Sequence, residues 1–276
     1  VIDTGKFRLS GILKDHNGII YTGSSEGLLI YNRQKERLSQ FVTASGETVV
    51  IEKFLIHNIY EDSRFNLWLG TLFEGVVRID SSRNAIRYFT PDPMQPGSIM
   101  KSQEYKAIRE DSRGRIWVGC YDGVSVFDPS TGVFDLSVND LLRQNGIRKG
   151  VIWGIESDSL GRIYLSVDDE GLVRIDGDIT GNPEIRLFHL NHGINDLNLY
   201  QMERDRAGNL YIINEGVTIL DPYGETFRVI DTRNGLHSNK NWVNTLYIDC
   251  NDNLYLDDGT AFETKNISHI DVGSRI

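Results

Sequence analysis

Six aspartates recur along the chain, Asp15, Asp62, Asp111, Asp158, Asp205 and Asp249, and five residues before each stands a side chain of different chemistry. In order these are Ser10, His57, Lys106, Trp153, Tyr200 and Asn244. A packing slot would not vary from hydroxyl to imidazole to ammonium to indole. Trp153 and Tyr200 could stack on a sugar ring, and Lys106 could pair with a carboxylate or sulfate. The plainer alternative is a solvated rim. A second recurring element is an acidic residue followed by glycine: Glu26-Gly27, Glu74-Gly75, Asp122-Gly123, Glu170-Gly171, Glu215-Gly216 and Asp258-Gly259. Gathered at one end of the molecule, these carboxylates would repel one another and could hold a cation or an amine. Their plain reading is a preference for solvated turn tips.

Further polar and aromatic residues stand in the connecting segments. Phe73, Tyr121 beside Asp122, and Asp168 with Asp169 flank the acidic turns, while longer segments carry His192, Asn195, Asp196, His237, Asn239 and Trp242. Aromatics next to Asn and Asp suit carbohydrate, which offers a flat apolar face rimmed by hydroxyls, and they suit a protein partner equally. The sequence offers less to an enzyme. It has no nucleophile-elbow pattern and no His-x-x-x-His pair, and Cys120 takes the place of Thr71 at a strand end, which reads as structural. His57, His192 and His237 could still converge on a metal near the acidic turns, and glycoside hydrolysis would need only two carboxylates about 5–10 Å apart.

The elements that must position these groups follow from the period. The steps between aspartates are 47, 49, 47, 47 and 44 residues. Five residues after each comes an apolar–aromatic pair: Ile20-Tyr21, Leu67-Trp68, Ile116-Trp117, Ile163-Tyr164, Leu210-Tyr211 and Leu254-Tyr255. The intervening turn takes Gly18, Gly114, Gly161 and Gly208 at a left-handed position, with Phe65 and Asp252 as exceptions. A third strand ends on Asn32, Asp80, Asp128, Asp176 and Asp221, with Thr264 departing from the rule. Four short strands with their turns fill about 45 residues, one blade of a β-propeller. The fold expected is all-β, with four-stranded antiparallel blades and repeats near 7–55, 56–104, 105–151, 152–198, 199–242 and 243–276 in one domain. Six repeats allow a closed six-bladed ring, with Val1-Ile2-Asp3-Thr4 as a strand of the last blade, or part of a seven-bladed one. Each aspartate is expected to cap its own turn, and each strand aromatic to pack. Ile12, Ile59, Ile108, Ile155, Met202 and Leu246, three before each aspartate, are expected to be buried.

Composition sets limits. With 39 acidic residues against 29 basic in 276, the net charge of −10 argues against nucleic acid, which needs a basic footprint. No 18-residue apolar window exists, so no membrane insertion of this segment is expected. Cys120 and Cys250, three repeats apart, are read as free thiols. No cofactor and no metal ligand set is assigned. The absence of an initiator methionine suggests a domain cut from a longer polypeptide.

The run from Glu110 to Gly119 resembles, nearly letter for letter, the two-component regulator propeller repeat; Glu61–Thr71 and Glu156–Leu165 fit it well. The resemblance extends over roughly residues 7–264. It implies the periplasmic sensor region of a hybrid two-component system of the Bacteroidetes type, detecting a glycan fragment and relaying it through a longer chain. The residues read as ligand-binding are His57, Phe73, Lys106, Tyr121, Asp122, Trp153, Asp169, His192, Tyr200, Trp242 and Asn244. The partners expected are an oligosaccharide or other small ligand, and a homodimer mate or neighbouring domains of the parent chain. The alternatives are an interaction or dimerisation scaffold, or a propeller lyase or hydrolase acting on polysaccharide.

Overall fold

The structure, a computed structural model, describes residues 9–24, 27–46, 55–148, 150–224, 226–233, 246–248, 252–257 and 267–271. Among them the chain forms six antiparallel sheets whose strands follow one another in sequence order. The first sheet holds β1 (Leu9–Lys14), β2 (Ile20–Ser24), β3 (Gly27–Asn32) and β4 (Arg37–Gln40). The second holds β5 (Ile56–Glu61), β6 (Leu67–Thr71), β7 (Val76–Ile79) and β8 (Ile86–Phe89). The third holds β9 (Tyr105–Glu110), β10 (Ile116–Cys120), β11 (Gly123–Asp128) and β12 (Val133–Asp135), followed by a two-turn helix α1 (Val138–Gln144). The fourth comprises β13 (Ile152–Ser157), β14 (Ile163–Val167), β15 (Gly171–Asp176) and β16 (Glu184–Phe188). The fifth comprises β17 (Met202–Arg204), β18 (Leu210–Asn214), β19 (Gly216–Leu220) and β20 (Phe227–Ile230). The sixth has three strands, β21 (Leu246–Ile248), β22 (Asn253–Asp257) and β23 (Ile267–Asp271). These are the expected blades, and the fold class is the one read from the period.

The sheets fall into two compact units, residues 1–141 and 142–276. Within each unit the first strand of a sheet lies beside the first strand of the next, β1 with β5 with β9, and β13 with β17 with β21. Apolar side chains fill the space between successive sheets. In the first unit Tyr21, Leu28 and Phe41 meet Ile56, Ile59, Leu67 and Leu69, and Trp68 and Phe89 meet Ile108, Phe127 and Phe134. In the second unit Tyr164, Leu172 and Phe188 meet Met202, Leu210 and Ile212, and Tyr211 and Ile213 meet Leu246, Leu254 and Leu256. The second strands are fully buried because both of their faces are covered, so they read as unbroken apolar runs rather than alternating ones.

The turn at each aspartate is built by its own side chain. Asp62 Oδ1 accepts the backbone N–H of Arg64 at 3.0 Å and of Asn66 at 2.8 Å, and Asp15, Asp111 and Asp158 do the same in their repeats. The second carboxylate oxygen accepts from the strand aromatic six residues on: Tyr21, Trp68, Trp117, Tyr164 and Tyr211. The aromatics therefore pack and also bind the cap. Phe65 and Asp252, which replace the turn glycine, keep the left-handed backbone at φ 64° and 62°.

Two expectations need correcting. Ile59, Ile108, Ile155, Met202 and Leu246 are buried, but Ile12 is 75% exposed, because among the described residues of its unit no sheet packs over that face of β1. The third strand of the sixth sheet lies at Ile267–Asp271 and ends on Asp271, so the rule of a closing Asp holds and Thr264 is not its closing residue. Trp242, Asn244, His237, Asn239, Cys250 and Val1-Ile2-Asp3-Thr4 lie outside the described residues.

Candidate functional site

The variable slot proves to be a β-bulge. In the β5–β6 pair Ile56 faces Thr71 and Asn58 faces Gly70, which leaves His57 without a cross-strand partner. Lys106 is left over in the same way between Tyr105 and Ala107, and Trp153 between Ile152 and Gly154. Tyr200 precedes β17: its N–H donates to the Ile213 carbonyl at 2.9 Å while Ile213 N–H donates to Gln201 O at 3.1 Å, again two residues against one. A bulge frees one residue from the alternation of the strand and re-aims its side chain. In β1 the extra residue is Gly11, so Ser10 stays paired with Gly23 and donates its hydroxyl to Ile56 O.

A close approach accompanies the bulges. In the first two sheets the residue opposite the bulge lies against a carbonyl of the next first strand: a Cβ on Gly23 would lie 2.5 Å from Ile56 O, and one on Gly70 would collide with Tyr105 O. In the fourth sheet Ser166 takes that place and donates its hydroxyl to Tyr200 O at 2.8 Å.

In the first unit three of the expected residues gather round one that was not expected. Glu104 lies with Oε1 3.9 Å from His57 Nε2, and its other oxygen is ion-paired with the Lys106 ammonium. Lys106 Nζ also stands 5.5 Å over the Tyr121 ring. Burial lowers the His57 pKa from its ordinary value, with Glu104 opposing the fall and Lys106 adding to it. Phe73, exposed and at φ 66°, donates its N–H to Gln103 O at 2.7 Å, and Leu72 bridges to Glu104, which ties this turn to the segment bearing Glu104. Asp122, half-buried, and Glu74 both act on the buried Tyr105, whose phenol is pushed up chiefly by burial and which donates to Met100 O at 2.7 Å.

In the second unit Trp153 and Tyr200 pack edge to face, with ring centroids 5.4 Å apart and planes at 74°. Trp153 lies beside Asp168, whose pKa is raised by burial first and then by Asp169 and Asp196. The Tyr200 phenol is likewise pushed up by burial and by Asp168, Asp196 and Asp169. Asp169 is exposed at φ 59°. His192 does not join this group. It sits in a 3-10 turn (Leu190–His192), with its ring against Phe188 at 5.9 Å and its Nδ1 accepting the His189 N–H, beside the outer strand β16. Asn195 is an anchor: its carbonyl oxygen accepts from Asn214 and Thr218, both at 2.8 Å, which pins its segment to the β18–β19 turn.

Glu104 and Asp168 are the members that the repeat could not single out. Glu104 has no counterpart at a fixed spacing, and its only sequence signal is a carboxylate two residues before Lys106. Asp168 was legible only as the neighbour of Asp169. One further cluster, Asp15, His16 and Glu61, has ligand atoms within 4.8 Å of one another at the aspartate end of the strands. Arg83 lies among them, 3.1 Å from Asp15 and 2.9 Å from Glu61, so a guanidinium already supplies the positive charge.

Residues 100–122 match the family model described as the two component regulator propeller, which bears out the repeat type read from Glu110–Gly119. That stretch carries Lys106, Asp111, Trp117, Tyr121 and Asp122. No curated protein matches the chain. Among solved structures, an extracellular domain assigned to a hybrid two component system of B. thetaiotaomicron is 22% identical, with a TM-score of 0.70 over 89% of this chain and 32% of that one. An extracellular domain assigned to a one component system of the same organism is 16% identical, with a TM-score of 0.52 over 90% and 40% of the two chains. Virginiamycin B lyase from Staphylococcus aureus, in a catalytically inactive form with quinupristin, is 13% identical, with a TM-score of 0.67 over 99% and 87%. The chain thus spans about a third to two-fifths of the length of the two B. thetaiotaomicron proteins. Likeness at these identities establishes the fold, a β-propeller.

Proposed function

We propose that this chain is the ligand-sensing propeller segment of an extracytoplasmic, membrane-anchored two-component regulator, and that it binds a glycan fragment against the Trp153–Tyr200 pair. The observation that carries the reading is that pair itself: two half-buried rings, one released from its strand by a bulge, with carboxylates beside them. Apolar ring faces flanked by hydrogen-bonding groups suit a pyranose. The repeat type and the likeness to extracellular domains of two component systems support a sensor, whose signal would pass through a longer parent chain. No helix among the described residues is long and apolar enough to cross a membrane.

Titration with a panel of neutral, acidic and basic oligosaccharides, read by calorimetry and tryptophan emission, tests the proposal. Binding is expected for one class, with Trp153→Ala weakening it at least about tenfold, or ~1.4 kcal/mol. Unchanged affinity in that variant would remove the site, and silence across the panel would remove the glycan reading. A lyase or hydrolase is the second reading, favoured by the cover of 99% of this chain by the virginiamycin B lyase fold. Turnover assays on the same panel, with and without divalent metal, distinguish it. Light scattering tests the scaffold reading, in which a dimer forms and no saccharide binds.

A further inference from the structure

His57 and Lys106 sit on the bulges of neighbouring first strands, and one carboxylate stands between them. Glu104 is ion-paired through Oε2 with the Lys106 ammonium, while its Oε1 lies 3.9 Å from His57 Nε2. That gap is an ion-pair distance, yet about 1 Å too long for a hydrogen bond between charged groups. His57 Nε2 is itself buried and has no hydrogen-bond partner among the described residues. A buried ring nitrogen left without a partner is costly. Glu104 therefore has two claimants, a permanent cation and a group that becomes one on protonation. The segment that carries Glu104 also holds the acidic turns of the second and third sheets. Gln103 O accepts the Phe73 N–H at 2.7 Å, Ser102 Oγ accepts the Tyr121 N–H at 3.1 Å, and Leu72 bridges to Glu104. A carboxylate that changes partner here acts on both turns.

We infer that Glu104 is a two-position carboxylate worked by His57: a neutral imidazole leaves it bound to Lys106, and a protonated one draws it onto Nε2–H and releases Lys106 towards the Tyr121 ring. A proton on His57 puts two cations beside one carboxylate, and like charges so placed repel. Nε2–H then gains a charged acceptor, and the ammonium keeps the Tyr121 ring, 5.5 Å away, as its other support. Burial disfavours the imidazolium, which sets the change below the ordinary histidine range and leaves the Lys106-bound arrangement at neutral pH. Among the described residues, the charged groups acting on the imidazole are Glu104 and Lys106. Glu74 and Asp122, in the two turns, act on Tyr105, and β1 brings the uncharged Gly11 against the His57 carbonyl. The device is independent of the sugar site proposed above, which uses Trp153 and Tyr200.

The test follows the whole chain by NMR as the pH falls from about 8 to about 4, across the ordinary histidine and carboxylate values. The His57 ring protons, the Lys106 side-chain resonances and the Tyr121 ring protons are expected to shift together, with one midpoint below about 6.5. In His57→Gln the Lys106 and Tyr121 shifts at that midpoint should vanish, leaving only a carboxylate step near pH about 4 from groups such as Asp122 and Glu74. In Glu104→Gln the imidazole should still titrate, while the Lys106 and Tyr121 response to it is largely lost. A His57 titration in the parent that leaves Lys106 and Tyr121 unmoved overturns the switch. Shifts that persist at the same midpoint in His57→Gln, or an unaltered response in Glu104→Gln, overturn it too. If Glu104→Gln melts without cooperativity, the parent and His57→Gln decide between them.

Discussion

Trp117 donates its indole N–H to Asp111 Oδ2 at 2.9 Å, which joins the strand aromatic to the carboxylate that caps the preceding turn. Asp111 is buried and also accepts from the backbone of Arg113 and Arg115 and from the Arg115 guanidinium at 2.7 Å. Asp111→Ala would strand all four donors. Unfolding in urea should show a loss of about 3 kcal/mol, against ~1 kcal/mol for Trp117→Phe, which removes one donor and keeps the packing. Equal losses would show that the ring's volume, and not the cap, is what matters.

Phe65 holds a left-handed backbone at φ 64° where its sister repeats use glycine, and its exposed ring stacks on His16 with centroids 3.9 Å apart. Comparing Phe65→Gly with Phe65→Ala separates the two effects, because both lose the ring and only alanine keeps the strained φ. Glycine is expected to be the more stable by about 1 kcal/mol. A more stable alanine variant would mean that the turn relaxes to another conformation.

Gly70 has no room for a methyl group, since its Cβ would run into the backbone carbonyl of Tyr105. Gly70→Ala is expected to cost about 3 kcal/mol, as overpacking against backbone does. Gly181→Ala, with nothing nearer than 3.5 Å, should fall within ~0.5 kcal/mol of the parent. Thermal melts of the two variants check the contrast.

Asp168 faces Asp169, Asp196, Tyr200 and Trp153, and its pKa is raised, chiefly by burial and then by Asp169. A carboxylate with a raised folded value contributes stability that is fully present below its unfolded value, about 3.9, and is lost as pH rises through the folded value. Asp168→Asn should therefore stabilise the protein at pH 7, by less than ~1 kcal/mol given its solvent access, and the gain should vanish near pH 3. A gain that persists in acid would point to a cause other than charge.

His57 has its pKa lowered by burial, with Glu104 raising it and Lys106 lowering it. Its share of stability is present above the ordinary histidine value and lost as pH falls through the lower folded one. Lys106→Met should move the imidazole titration upward, and Glu104→Gln should move it further down, both read from its ring proton resonances. Identical titrations in the two variants would mean that the three groups are not neighbours in solution.

The candidate site was legible in part. His57, Lys106 and Tyr121 do meet, and so do Trp153 and Tyr200, because equivalent positions of a repeat fall at equivalent places. Glu104 and Asp168 hold these groups, yet they sit at no repeated spacing. His192 carried the right chemistry in a long segment but packs on Phe188 instead.

What the sequence determined by itself is everything closed within a few residues: the strands, the aspartate caps reaching two, four and six positions ahead, and the left-handed turns that even Phe65 obeys. The period then implied the blades. Only the tertiary structure decided that the variable slot is a bulge, that Arg83 reaches back 68 residues to Asp15, where Ile19 supplies no polar group, and that Ile12 is left uncovered. The physical reason is range. A turn is settled by hydrogen bonds along one short stretch, whereas a bulge, an ion pair between sheets or a buried face depends on which distant strands come to lie side by side.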